Sequence, residues 1–193
     1  MQFREGMTTA WSFLTLTVRQ HGGNTGYDDA IEQYYSFDST VPNCRRVRVG
    51  DLAAVRNSQQ LLGIGWIPEL TSKEAHKERR RYPLCHTTDF KTRSTALPRY
   101  RCAKRHAFNK PLSEQIATTS YRAIYGSSWK SLRGALDTST LESITPSNAR
   151  QHAIRRLDVG RLQRLLEDRV SPEWWARRPT AEVPRLKGAC DPK

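Results

Sequence analysis

The chain has 193 residues, 37% of them hydrophobic, and carries a formal charge of +13 from 32 Lys and Arg against 19 Asp and Glu. That length and apolar content suffice for one compact domain with an accessory segment, or for two small domains, but not for two large cores. The charge favours an anionic partner, nucleic acid being the commonest, while the absence of any window near the roughly 18 apolar residues of a membrane span argues against a membrane partner. The start, MQFREGMTTAWSF, lacks the long apolar core of a signal peptide, and four scattered cysteines, Cys44, Cys85, Cys102 and Cys190, do not make a secreted disulfide framework, so the chain reads as cytoplasmic.

In chain order, residues 11–18 carry apolar groups on both alternating sets, which predicts a central rather than half-exposed strand. Residues 21–43, HGGNTGYDDAIEQYYSFDSTVPN, crowd turn residues, acids and aromatics into a run too polar for ordinary core, and read as a binding loop leaving a β-rich portion. Residues 49–67 predict a hairpin turning at Asn57 and Ser58, with Gly63 and Gly65 marking a bulge or a close backbone approach. Across residues 79–110 there are ten Lys or Arg and a single acid, Asp89, with few aliphatics, so this segment needs something other than an apolar core to fold it. One more strand is predicted over residues 115–125. Helices follow, with Trp129, Leu132 and Leu136 at helical spacing after a cap at Ser127 or Ser128, and Val159, Leu162, Leu165 and Leu166 after Asp158. Residues 170–193, rich in Pro and Arg and without a period, predict a disordered tail on which the Trp174 and Trp175 pair is the only docking candidate.

The basic segment holds the clearest ligand pattern. Tyr82-Pro83-Leu84-Cys85-His86 and Tyr100-Arg101-Cys102-Ala103-Lys104-Arg105-His106 resemble two zinc knuckles separated by a short β-ribbon, the second with an intact Cys-x3-His pair. A Cys-x2-Cys knuckle would place its first thiolate where Tyr82 stands. Cys85, Cys102 and His106 therefore remain as ligands, with His86 or His76 as candidates for the fourth. The alternative is a metal-free hairpin held by packing of Tyr82, Tyr100 and Phe108.

The run HGGNTGYDD, then YYSFDSTVPN, GDLAAVRNSQQLLGIGWI, CH, PRYRC and HAF, and finally SWKSLRGAL and NARQHAIRRLDVGRLQRLL, resembles the N-terminal region of bacterial HNH-type endonucleases related to modification-dependent restriction enzymes. The resemblance implies an α+β protein: a PUA-like barrel of the EVE and SRA kind over residues 9–126, interrupted by a degenerate zinc-ribbon insertion over 73–110, with a helical extension over 127–169. It further implies that this region reads DNA while a separate HNH domain cuts. The resemblance ends before that nuclease, no histidine follows Arg169, and a separately encoded nuclease is the corresponding partner expectation. Two departures stand out: Phe37 where the family usually has Trp, and Tyr82 at the first zinc-ligand position.

Reading a modified base in a duplex requires extruding it between aromatic faces. Tyr35 and Phe37 are the candidate sandwich, Asp38 the acceptor for a cytosine amine, and Trp66 or Tyr27 the opposite wall; the competing readings are a core plug for Tyr35 and Phe37, and a turn cap toward Thr40 for Asp38. Arg79, Arg80, Arg81, Arg93, Arg99 and Arg101 are the candidate phosphate contacts. No P-loop, GxSxG, HExxH or nuclease acid–acid–Lys set is present, and Asp28 and Asp29 on a turn read as surface acids rather than magnesium ligands. The expectations are thus a modified-DNA reader without its nuclease, an endonuclease subunit cutting with a partner or through an unrecognised site, or an RNA-binding PUA-like protein.

Overall fold

A computed structural model describes residues 8–15, 28–146 and 152–179. In chain order the strands are β1 (Ala10–Leu14), β2 (Tyr34–Asp38), β3 (Leu52–Arg56), β4 (Leu61–Trp66), β5 (Glu69–Arg81), β6 (Phe90–Thr92), β7 (Tyr100–Cys102), β8 (Ala107–Phe108), β9 (Leu112–Ile124), β10 (Lys130–Ser131) and β11 (Ile154–Leu157). The helices are short: α1 (Thr138–Ser143), α2 (Val159–Leu165) and α3 (Pro172–Ala176). The described residues fall into two compact units, one built on Asp28–Ser72 with residues 8–15 and 120–179, the other on Lys73–Thr119.

The first unit is organised by a five-stranded sheet of order β10-β4-β3-β1-β11, in which β1 and β3 run parallel and the other neighbours antiparallel. As the two-sided apolar pattern predicts, β1 is flanked by strands on both sides. Alternation sends Trp11, Phe13, Ala53, Val55, Leu62 and Ile154 into one core with Tyr35, Phe37 and Tyr125. It sends Ala10, Leu52, Ala54, Ile64, Trp66 and Leu157 into a second core, covered by Leu141, Leu162, Leu166 and Val170. The sheets among the described residues are open, five-, three- and three-stranded; the architecture is mixed α+β with no closed barrel, where a barrel is expected from the resemblance.

The β3–β4 hairpin forms where the sequence predicts it, and the Asn57 side chain accepts from the amides of Gln59 and Gln60, both at 2.8 Å, closing the turn. The register shift falls between Val55 and Arg56, whose partners are Gly63 and Leu61, so the skipped Leu62 puts the irregularity on β4 beside Gly63, and Gly63 and Gly65 both mark close backbone approaches. A Cβ on Gly63 would stand 2.3 Å from Trp129 Cζ2 and 2.5 Å from the Lys130 carbonyl oxygen. Gly63→Ala is therefore expected to destabilise the first unit by about 2 kcal/mol through overpacking, read as a lower urea midpoint at unchanged slope.

Beyond residue 126 the sequence reading needs correction at three places. Trp129, Leu132 and Leu136 do not lie on a helix: Lys130 and Ser131 pair with Ile64 and Gly63 of β4, and Gly134 takes a left-handed φ of +79°. Their helical spacing is a coincidence of three apolar residues brought separately to the sheet. Strand β11 was not foreseen at all, because Arg155 and Arg156 occupy its middle and the Ile154 and Leu157 that bury are too few to set a period. The expected tail is ordered through residue 179: Val170 is buried, and Trp174 donates its indole N–H to the Ser128 carbonyl at 3.1 Å. Helix α2 does follow Asp158, whose carboxylate accepts from the Arg161 amide at 2.8 Å as an N-cap. Residues 180–193 of the expected tail lie outside the described residues.

Candidate metal centre and cationic ribbon

The second unit has few aliphatics with which to fold and uses aromatics. Strands β6, β7 and β8 form an antiparallel sheet in which Phe90 pairs with Cys102, Thr92 with Tyr100, and Tyr100 with Phe108. These residues share one face. There Tyr100 and Phe108 stack at 5.4 Å, Phe90 meets Phe108 edge-on at 5.2 Å, and Tyr82 meets Phe108 edge-on at 4.7 Å. The other face carries Lys91 directly opposite Arg101, with Ala107 beside it, so two cations oppose each other across the strands.

Two tight turns bring the ligand side chains together. In one, the Tyr82 amide donates to the Thr87 carbonyl at 2.9 Å and the His86 amide to the Tyr82 carbonyl at 3.0 Å, with His86 at φ +52°. In the other, the Arg105 amide donates to the Cys102 carbonyl at 2.8 Å and the Cys102 amide to the His106 carbonyl at 3.0 Å, with Arg105 at φ +67°. The Cys85 and Cys102 sulfurs are 4.0 Å apart, and the ligand atoms of Cys85, Cys102 and His106 all lie within 4.8 Å of one another. Two thiolates on a tetrahedral zinc at about 2.3 Å would be roughly 3.8 Å apart, so the group can hold a metal ion, and its thiolates favour zinc over magnesium or calcium.

Neither candidate for the fourth ligand joins the cluster: among the described residues His86 and His76 lie outside the group. Tyr82, at the position of the missing cysteine, is buried with its ring stacked on His106 at 5.2 Å. The aromatic packing weighed against a metal is thus present alongside the ligand set. Sequence spacing alone could not separate the two.

The six predicted phosphate contacts divide by their neighbours. Arg79 and Arg81 pair with Glu114, Arg81 at 2.8 Å, and Arg80 pairs with Glu78 at 3.1 Å. The Ser113 hydroxyl, and then Arg80, hold the Glu78 carboxyl below its ordinary range. Arg93 donates to the Pro98 carbonyl at 3.4 Å. Arg99 and Arg101, with Lys91, Lys104, Arg105 and Lys110, are exposed and have no carboxylate partner among the described residues. Sequence reasoning missed Lys91; its alternation with Phe90 was the available signal.

The predicted base-pocket residues are not brought together. Tyr35 and Phe37 are 1% and 0% exposed and lie in the core, stacked on Phe13 at 4.6 and 6.3 Å, with the Tyr35 hydroxyl donating to the Leu14 carbonyl. Trp66 lies in the other core, stacked on Trp174 at 5.9 Å, so it cannot be a wall opposite Tyr35 and Phe37. Asp38 is buried and accepts from the Thr40 amide at 2.8 Å and from the Thr40 hydroxyl, which is the turn cap. Tyr27 lies outside the described residues. Asp29 accepts from the Ser36 amide at 2.9 Å, and Asp28 accepts from the Tyr34 hydroxyl at 3.2 Å, so both serve the start of β2. An aromatic recess of the first unit lies elsewhere, between Pro68, Ser127, Trp129, Trp174 and Arg177.

The fold and site define a mixed α+β protein with an aromatic-cored basic ribbon and a three-residue cluster, Cys85, Cys102 and His106, that could hold a metal ion. Comparison with protein-family models, with curated proteins and with solved structures returns no match to this chain.

Proposed function

We propose that this chain binds duplex DNA through the cationic face of its ribbon unit, with zinc on Cys85, Cys102 and His106 tying the two turns together. The observation that carries the reading is the Lys91–Arg101 pair: like charges directly opposite across strands are destabilising, and among the described residues neither has a carboxylate partner. Residues 73–119 hold twelve Lys and Arg against four acids, +8 of the chain's +13. A row of phosphates would neutralise that face, and release of counterions would drive binding. The chain's resemblance to the DNA-reading part of HNH restriction endonucleases supports the same reading.

Recognition of a modified base belongs to that resemblance and finds no support at Tyr35 and Phe37 as they are packed; the recess at Trp129 and Trp174 offers the aromatic faces. Titration with matched duplexes tests both levels. Unmodified, 5-methylcytosine and 5-hydroxymethylcytosine DNA are each expected to bind more tightly than duplex RNA of the same sequence, whose A-form grooves present a different spacing of phosphates. A preference for RNA would replace the DNA reading with the RNA-binding one. Discrimination among the DNA duplexes would add base reading to backbone binding.

A further inference from the structure

Among the described residues, the second unit keeps its leucines outside its core. Leu84, Leu97 and Leu112 are 79%, 85% and 50% exposed, while the interior is filled by Tyr82, Phe90, Cys102 and Phe108. Leu97 is the most exposed of them and sits in the loop of residues 94–98 joining β6 to β7. That loop is closed at its base by the Arg93 amide donating to the Arg99 carbonyl at 2.7 Å and by the Arg93 guanidinium donating to the Pro98 carbonyl at 3.4 Å. An apolar side chain is thus held out into water on a short closed loop, between two arginines in sequence, on the most cationic segment of the chain.

A protein partner for a lone apolar side chain would be expected to meet it with an apolar surface and a mixed polar rim. The surroundings here are of one sign. A polyanion with apolar surface hidden between its charged rails satisfies both features, and base steps of duplex DNA are such a surface. We propose that Leu97 is a wedge that enters the minor groove and partly unstacks one base-pair step, while Arg93 and Arg99 hold the phosphates on either side. The proposal rests on the DNA-binding reading and adds the mode of contact to it. Because pyrimidine–purine steps unstack most easily, the wedge favours a TA or CA step at its point of entry.

The test uses a duplex with 2-aminopurine at a central TA step, whose fluorescence rises on unstacking, and a doubly end-labelled copy whose energy transfer reports a kink. The full chain is expected to raise both signals at saturation. Leu97→Ala removes an exposed side chain and leaves the fold intact, and it is expected to bind within about threefold of the parent, since phosphate contacts carry the affinity, while raising neither signal. Leu97→Met is expected to restore both. Binding with no unstacking by the parent, or equal unstacking by Leu97→Ala, overturns the wedge and leaves DNA binding standing. Failure of the parent to bind any duplex overturns both readings. Self-association abolished by Leu97→Ala, without unstacking, would assign the leucine to a second copy of the chain and overturn the wedge.

Discussion

Asp51→Ala is expected to lower the free energy of unfolding by about 3 kcal/mol, because it leaves the buried Trp11 indole N–H and two part-buried backbone amides without an acceptor. The Asp51 carboxylate accepts from the Trp11 indole N–H at 2.7 Å, the Arg48 amide at 2.8 Å and the Thr9 amide at 3.2 Å. It thereby ties the entry of β1 to the turn before β3, which Gly50 makes with φ +82°. Asp51→Asn keeps one acceptor oxygen but turns an NH2 toward donors, so its loss is expected to be smaller, measured as a shift of urea midpoint.

The pH dependence adds a second check on the same group. Burial pushes the Asp51 carboxyl above its ordinary value, outweighing the donors that favour the charged form. A raised folded pKa means that the folded chain holds this proton more tightly than the unfolded chain. The contribution of the group is therefore fullest below the unfolded value of about 3.8 and declines as pH rises through the folded pKa. The stability difference between the parent and Asp51→Ala should narrow over that interval and then stay level to neutrality.

Tyr82→Cys is expected to tighten zinc binding by about 100-fold, by completing a Cys3His tetrahedron from an existing group of three. Tyr82 stands three residues before Cys85 on the same tight turn, and its ring already lies against His106. The substitution also deletes the Tyr82–Phe108 edge contact at 4.7 Å, so the metal-free variant should be less stable than the parent while the zinc-bound variant is more stable. Competition against a chromophoric chelator measures the affinity, and the visible absorption of the cobalt form reports a tetrahedral thiolate site. Unchanged affinity in both Tyr82→Cys and Cys85→Ser would show that the cluster is not where metal binds.

What the sequence made legible is what local spacing controls. The two-sided apolar pattern placed β1 between neighbours, Asn57 placed the β3–β4 turn, and Asp158 placed the start of α2. The Cys85, Cys102 and His106 set was readable because each turn is set by residues close in sequence. The failures come from residues whose role is settled by distant partners. Phe13 sits across from Tyr35 and Phe37, and that tertiary stack turns an apparent base sandwich into core. Trp174 and Trp175 lack any period of their own, yet Trp66 meets them at 5.9 and 6.4 Å and orders the segment around them. Strand β11 is recruited by the edge of β1 despite two arginines, because Arg155 is held by Glu142 at 3.0 Å.

Among possible measurements, the salt dependence of duplex-DNA affinity bears most directly on the cationic face as a DNA-binding surface. Anisotropy titrations of the parent and of the combined Lys91→Ala, Arg99→Ala and Arg101→Ala variant would give the slope of log affinity against log salt for each. Loss of three phosphate contacts is expected to make that slope shallower by roughly 2–3 and to weaken binding similarly on every sequence. A parent that binds with no salt dependence, or a variant whose slope equals the parent's, would contradict the assignment of this face to DNA.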